Sequence, residues 1–134
     1  MAMMVLDASA AALVAMGAPA GGVFRDALAG DAEVMSSRLL EVEIRNVFWK
    51  YVRVGTLATQ EAQQRVEAAI DLVDVFVPIE DNVAESLSEA IRCDHSVYDM
   101  LYLTIARRTG AVLLTADKRL ARLCNELGVR VMTP

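Results

Sequence analysis

Short apolar runs alternate with longer segments of helical periodicity along the whole chain. Apolar residues spaced three to four apart predict helices, whereas runs of four or five bounded by turn residues predict buried strands. The predicted strands are residues 3–6, 33–36, 74–78, 111–115 and 129–132. The predicted helices are residues 8–16, 22–29, 37–53, 59–72, 80–92, 97–108 and 118–126. Four residues are of types that cap helix N-termini: Asp7, Thr59, Ser96 and Asp117.

This alternation predicts an α/β fold in which parallel strands have helices on both faces of the sheet. We therefore expect residues 1–134 to form one three-layer α/β/α domain with a central parallel sheet of four to five short strands. In folds of this class, ligands bind beyond the C-terminal ends of the strands.

Four acidic residues are attached to elements that should be mostly buried. Asp7 follows the first predicted strand and Asp117 follows the fourth, so both belong at the same edge of the sheet. Glu43 falls on the apolar face of its helix, and Asp99 lies in a very apolar segment. Carboxylates brought together at one buried edge repel each other unless a cation intervenes. Magnesium or manganese fits such oxygen ligands, so the pattern predicts a metal site and phosphate chemistry.

Each acid also has a purely structural interpretation. Asp7 and Asp117 can serve only as helix caps, Asp99 suits the positive end of the helix dipole, and Glu43 can pair with an arginine.

The residues around these acids have structural interpretations as well. The hydroxyls of Ser9 and Thr115 can orient the acids or bond to the helix backbone. His95, the one histidine, is predicted in a solvated loop, with a general base as the alternative. Tyr98 and Tyr102 are predicted to pack in the core, with base stacking as the alternative.

The net charge of −5 argues against a protein that coats nucleic acids generally. Basic residues are nevertheless concentrated in the C-terminal third. Lys118, Arg119 and Arg122 follow Asp117 directly, and they either contact RNA phosphates or form an ordinary solvated helix face.

The cysteines and the apolar N-terminal segment bear on location. Cys93 and Cys124 fit no metal-binding spacing and are predicted to be reduced, which favours the cytoplasm. Residues 8–24 carry no charge, but glycines and a proline interrupt them, so we do not expect a membrane span.

Four segments of the chain resemble a known family when they are taken together in this order. They are Val-Leu-Asp-Ala-Ser at 5–9, Glu-Ile-Arg-Asn-Val at 43–47, Ser-Val-Tyr-Asp-Met-Leu-Tyr-Leu at 96–103 and Leu-Leu-Thr-Ala-Asp-Lys-Arg-Leu at 113–120. The chain resembles PIN domains over essentially its whole length, and specifically the VapC-type toxin ribonucleases.

The resemblance implies a PIN fold and cleavage of RNA that depends on one or two Mg²⁺ or Mn²⁺ ions. The family's metal-binding acids correspond to Asp7, Glu43, Asp99 and Asp117. Ser9 and Thr115 match hydroxyl positions beside those acids, and Asn46 matches the pattern after Glu43. The expected partners are RNA, a cognate antitoxin and a second copy of the chain in a homodimer.

The working hypothesis is hydrolysis of RNA phosphodiesters by a metal-activated water. Two other functions stay open. A metal-dependent phosphatase for small esters is one, although its haloacid-dehalogenase-like form requires a second acid where this chain has Ser9. A PIN-like module that only binds a partner protein is the other.

Overall fold

The fold is built on a five-stranded, fully parallel sheet with the strand order β3-β2-β1-β4-β5. The computed structural model describes residues 3–134, so the first two residues of the predicted 1–134 domain lie outside the described residues. The strands are β1 (Met4–Leu6), β2 (Val34–Ser37), β3 (Val75–Val77), β4 (Val112–Leu114) and β5 (Val131–Met132). The helices are α1 (Ala8–Met16), α2 (Gly22–Leu28), α3 (Leu39–Arg53), α4 (Thr59–Asp71), α5 (Val83–Cys93), α6 (Val97–Thr109) and α7 (Lys118–Leu127).

The predicted α/β class, parallel pairing and order of elements are confirmed. The second strand lies one residue later than predicted, because the side chain of Asp74 accepts a hydrogen bond from the Val34 amide and the ladder begins there. Thr59 is not a helix cap as predicted. It is the first residue of α4, and the amide of the preceding Ala58 donates to the Glu61 carboxylate instead.

The strand order divides the helices between the two faces of the sheet. The chain moves outward from β1 through β2 to β3 and then returns past β1 to β4 and β5. Because parallel crossovers are right-handed, the helices of the outward path and those of the return path cover opposite faces. Accordingly, α1 packs on α2, α3 and α4, while α5 packs on α6. This arrangement forms the predicted three layers.

The central strands β1 and β4 hold the core. Val5, Leu6, Leu113 and Leu114 are completely buried, whereas the edge strands β3 and β5 are partly exposed. Burying a side chain of this size contributes about 1.5–3 kcal/mol. The strongly apolar central runs are therefore the ones that the sequence pattern identifies most clearly.

The direction of the strand order reverses between β1 and β4, and this is the topological switch point of the sheet. Backbone pairing continues past the end of β1, where the Asp7 amide donates to the Leu114 carbonyl at 3.2 Å. Asp7 then caps α1 and Asp117 caps α7. The two acids thus lie at the C-terminal ends of adjacent strands, where open α/β sheets bind ligands. Within residues 3–134, none of the helices is long and apolar enough to cross a membrane.

Candidate active site

An open cleft of about 570 Å³ lies at the switch point between β1 and β4. We call it the acid cleft because all four predicted acids line it, together with two of the predicted supporting residues: Asp7, Glu43, Asp99, Asp117, Ser9 and Asn46. Its volume is in the range of about 300–1,000 Å³ that is usual for ligand sites. The structure therefore brings together residues that lie up to 110 positions apart in the sequence.

Asp7 is the most deeply buried of the four acids, with 4% of its surface exposed. Its Oδ1 accepts hydrogen bonds from the Ser9 hydroxyl at 2.7 Å and from the Ala10 amide at 2.9 Å. Burial raises the pKa of Asp7 from its ordinary value of 3.8 to about 6, although these donors and the Thr115 hydroxyl oppose the change. Asp7 therefore caps α1, as one of its two interpretations predicted. It also lines the cleft, where burial destabilises its charged form.

Glu43 projects from α3 and is held by a tyrosine rather than by an arginine. The Tyr102 hydroxyl donates to Glu43 Oε1 at 2.7 Å, and no arginine of residues 3–134 pairs with this carboxylate. Burial raises the pKa of Glu43, the tyrosine hydrogen bond opposes the shift, and the charge of Asp99 adds to it. The ring of Tyr102 packs in the core as predicted, but the sequence did not reveal the role of its hydroxyl.

Asp99 lies on the first turn of α6, where its amide donates to the capping Ser96 hydroxyl. Burial raises the pKa of Asp99, and the nearby charge of Asp117 raises it further. His95 opposes this shift, because its Nδ1 lies 3.4 Å from Asp99 Oδ2.

The prediction of a solvated His95 is wrong, since only 6% of its side chain is exposed. The backbone of Asp94 adopts the left-handed conformation, with φ of 54°, and ends α5 there. The chain turns at this point and brings the imidazole of His95 against α6.

Asp117 is anchored through one oxygen and through the loop before it. Its Oδ1 accepts from the amides of Arg119 and Leu120 at 2.9 and 3.1 Å. The Asp117 amide in turn donates to the Thr115 hydroxyl at 3.0 Å.

Ser9 links the two strand ends. Its hydroxyl donates to Asp7, accepts from the Ala116 amide at 2.9 Å and lies 3.3 Å from the Thr115 hydroxyl. Ser9 and Thr115 therefore position the two strand-end acids and the backbone beside them.

Two of the carboxylates have one oxygen held by hydrogen bonds and one oxygen available. The second oxygens of Glu43 and Asp117 accept no hydrogen bond from any residue in the described range 3–134. Oxygen atoms of this kind suit a hard divalent cation.

The same carboxylates are not packed as a closed metal cage. Among the residues that the structure describes, no three Asp, Glu, His or Cys side chains are grouped closely enough to ligate one ion directly. Mg²⁺ commonly binds only one or two carboxylates and keeps several waters, so the open arrangement fits that ion.

The basic residues predicted to contact RNA lie outside the acid cleft. Arg119 and Arg122 line a separate polar pocket of about 280 Å³ with His95, and Arg119 donates to the Asp94 carbonyl at 2.8 Å. Lys118 and Arg122 line another pocket, of about 380 Å³, on α7. The cation that does line the acid cleft is Lys50.

Sequence reasoning missed Lys50, although its spacing from Glu43 could have revealed it. The two residues are seven positions apart, which places them on one face of α3. The prediction that Tyr98 packs in the core is wrong, because 60% of its surface is exposed at the cleft.

Comparison with known proteins agrees with this architecture. The PIN domain family model matches residues 4–126. The chain is 30% identical over 123 residues to Ribonuclease VapC3 of Pyrobaculum aerophilum, covering 88% of this chain and 92% of that protein.

Two solved structures illustrate the likeness of fold. One is VapC20 of Mycobacterium tuberculosis, a toxin that cleaves the sarcin–ricin loop, with a TM-score of 0.69, 21% identity and coverage of 98% of this chain and 99% of that chain. The other is DNA-bound VapBC of Salmonella typhimurium, with a TM-score of 0.67, 19% identity and coverage of 98% of each chain. The chain belongs to the PIN-domain family, and the relatives that it resembles are of the VapC type.

Proposed function

We propose that this protein is a divalent-metal-dependent endoribonuclease and the toxin component of a toxin–antitoxin pair. The observation that carries the proposal is the convergence of Asp7, Glu43, Asp99 and Asp117 on one cleft at the switch point of the sheet. The similarity to Ribonuclease VapC3 supports RNA as the substrate.

The four acids would hold one or two Mg²⁺ or Mn²⁺ ions, partly through water. A bound ion lowers the pKa of an attacking water and offsets negative charge on the scissile phosphate. The hydrogen bonds from Ser9 and Tyr102 fix the orientation of Asp7 and Glu43, so these carboxylates do not have to reorganise when the substrate arrives.

Electrostatics explains why the cleft needs a cation before RNA can enter. Burial and mutual repulsion raise the pKa values of Asp7, Glu43 and Asp99, which means that their negative charges are poorly stabilised by the protein alone. The same charges repel phosphate until a cation offsets them. Lys50 and Asn46 line the cleft from α3 and would contact the phosphate beside the scissile one.

The proposed partners are a cognate antitoxin and a second copy of this chain, in the cytoplasm. The solved VapBC complex with the same fold supports the antitoxin. Lys118, Arg119 and Arg122 remain proposed RNA contacts, for nucleotides that extend beyond the cleft along α7.

The test is cleavage of total cellular RNA with Mg²⁺, Mn²⁺ or EDTA by the wild-type protein and by Asp7→Asn. Asparagine keeps the oxygen that caps α1, so the variant should fold. The matched control is Asp26→Asn, the same substitution at an exposed position with no ion pair among the described residues.

We expect metal-dependent cuts at a few sites by the wild type and by Asp26→Asn, and none by Asp7→Asn. Equal cleavage by folded Asp7→Asn would show that the site assignment is wrong. Hydrolysis of a generic phosphate ester without any RNA cleavage would favour the phosphatase instead.

A further inference from the structure

Two exposed apolar side chains form part of the wall of the acid cleft. Nine large apolar residues of the described chain are exposed, and Val42 and Tyr98 are the two of these that line the cleft. Each directly precedes one of its acids, Glu43 or Asp99. Val42 is 65% and Tyr98 60% exposed, so neither contributes much to the core.

The ring of Tyr98 also lacks the contacts that exposed aromatic rings usually make. Within residues 3–134 its hydroxyl makes no hydrogen bond, and no cation or other ring lies against it. Trp49, an exposed aromatic on α3, differs in this respect, because the Arg53 guanidinium lies 4.9 Å from the centre of its ring. Tyr98 therefore presents an uncovered aromatic face at the site of the proposed chemistry.

We propose that Tyr98 is a stacking platform for an unpaired RNA base next to the scissile phosphate, with Val42 as an apolar contact for the same nucleotide. This inference rests on the proposed function and adds how the substrate is held. Proteins that read single-stranded RNA stack unpaired bases on aromatic side chains. A neutral base can enter an acidic cleft without the repulsion that a phosphate meets there.

The arrangement also gives the nucleotide a direction. Tyr98 lies beside Asp99 on α6, whereas Lys50 and Asn46 line the cleft from α3. A base on Tyr98 and a phosphate near Lys50 would hold one nucleotide across the cleft, with its backbone passing the carboxylates. A base that remains paired in a duplex has no free face for the ring, so the site selects unpaired RNA.

The experiment measures the affinity for a fluorescein-labelled pool of single-stranded octaribonucleotides in the presence of Mg²⁺. Every protein carries Asp7→Asn, which leaves the RNA uncut and removes one repelling charge. Tyr98→Ala, Tyr98→Phe and Trp49→Ala are compared with this parent by fluorescence anisotropy. Pools containing 2-aminopurine report stacking directly, because stacking quenches the fluorescence of that base.

We expect Tyr98→Ala to raise the Kd by about 5- to 150-fold and to remove the quenching of 2-aminopurine. Tyr98→Phe should keep the Kd and the quenching of the parent, because the ring remains. Trp49→Ala should also have the Kd and the quenching of the parent. An unchanged Kd in Tyr98→Ala overturns the inference, as does an equal loss in Tyr98→Phe. If Tyr98→Ala weakens only self-association or antitoxin binding, the ring contacts protein and the inference is also wrong.

The failure of this inference can be distinguished from failure of the proposed function. Metal-dependent cleavage by the wild-type chain tests the function alone. RNA cleavage by Tyr98→Ala with an unchanged KM would support the ribonuclease function and show that Tyr98 does not stack on a base.

Discussion

Neutralising Asp7 should stabilise the metal-free protein while it abolishes the proposed activity. Burial raises the pKa of this carboxyl from 3.8 to about 6. At about 1.36 kcal/mol per pKa unit, the buried charge costs the folded state about 3 kcal/mol near neutral pH. The Asp7→Asn variant avoids that cost and keeps the oxygen that accepts from the Ala10 amide.

The pH dependence has a definite sign. Below the unfolded pKa of 3.8, Asp7 is protonated in both the folded and the unfolded state, so folding does not bury a charge at this residue. As the pH rises from 3.8 through about 6, the unfolded chain gives up the proton first, so the free energy of unfolding falls. The pKa values of Glu43 and Asp99 are also raised, so Asp7→Asn should flatten this decline without removing it.

Urea denaturation in EDTA, between about pH 4 and pH 7, measures this effect for the wild type, Asp7→Asn and the exposed control Asp26→Asn. Near neutral pH Asp7→Asn should raise the free energy of unfolding by up to about 3 kcal/mol, which corresponds to a rise in Tm on the order of 10 °C. The control should follow the wild type. Parallel curves for the wild type and Asp7→Asn would refute the reasoning from burial. Excess Mg²⁺ should stabilise the wild type more than Asp7→Asn, because a ligand stabilises the folded state according to its affinity and the variant keeps only three of the four acids.

Three other substitutions or treatments have defined outcomes. Tyr102→Phe removes the donor to Glu43 and should weaken Mg²⁺ binding, measured by calorimetry, by roughly 10- to 100-fold; equal affinity would show that the hydrogen bond does not position the carboxylate. Gly21→Ala places a Cβ 2.9 Å from the Leu13 backbone, which should cost about 1–3 kcal/mol in urea denaturation. Burial raises the pKa of Cys124 to about 11, so iodoacetamide at about pH 8 should leave this thiol unmodified until the protein unfolds.

The sequence predicted the features that follow from local chemistry and from strand direction. Asp7 and Asp117 each follow a buried parallel strand, so their convergence at one edge follows from the fold class alone. The hydroxyls of Ser9 and Thr115 lie beside these acids in the sequence, and the structure places them in contact with Asp7 or with the Asp117 amide. The predicted bounds of the helices and strands agree with the structure to within three residues; the largest difference is at α5, which begins at Val83 instead of residue 80.

The features that could not be predicted depend on how helices pack. The four-residue spacing placed Tyr98 and Tyr102 on one face of α6. In the structure other residues cover only Tyr102, and Tyr98 is exposed. The Tyr102 hydroxyl reaches Glu43 across 59 positions of sequence, and nothing local to either residue indicates this pairing. The side chain of His95 is covered because the left-handed backbone at Asp94 redirects the chain, a conformation that a residue other than glycine rarely adopts.

The contact between Ser9 and Thr115 has a consequence for when the protein becomes active. It joins residues 106 positions apart, so it forms only after β4 has paired with β1. Loop closure over such a distance is entropically costly, and structure that depends on it forms late in folding. A nascent chain that has emerged from the ribosome only as far as α5 carries Asp7 and Glu43 but has no switch point. We therefore expect the acid cleft to assemble only when synthesis of the chain is nearly complete.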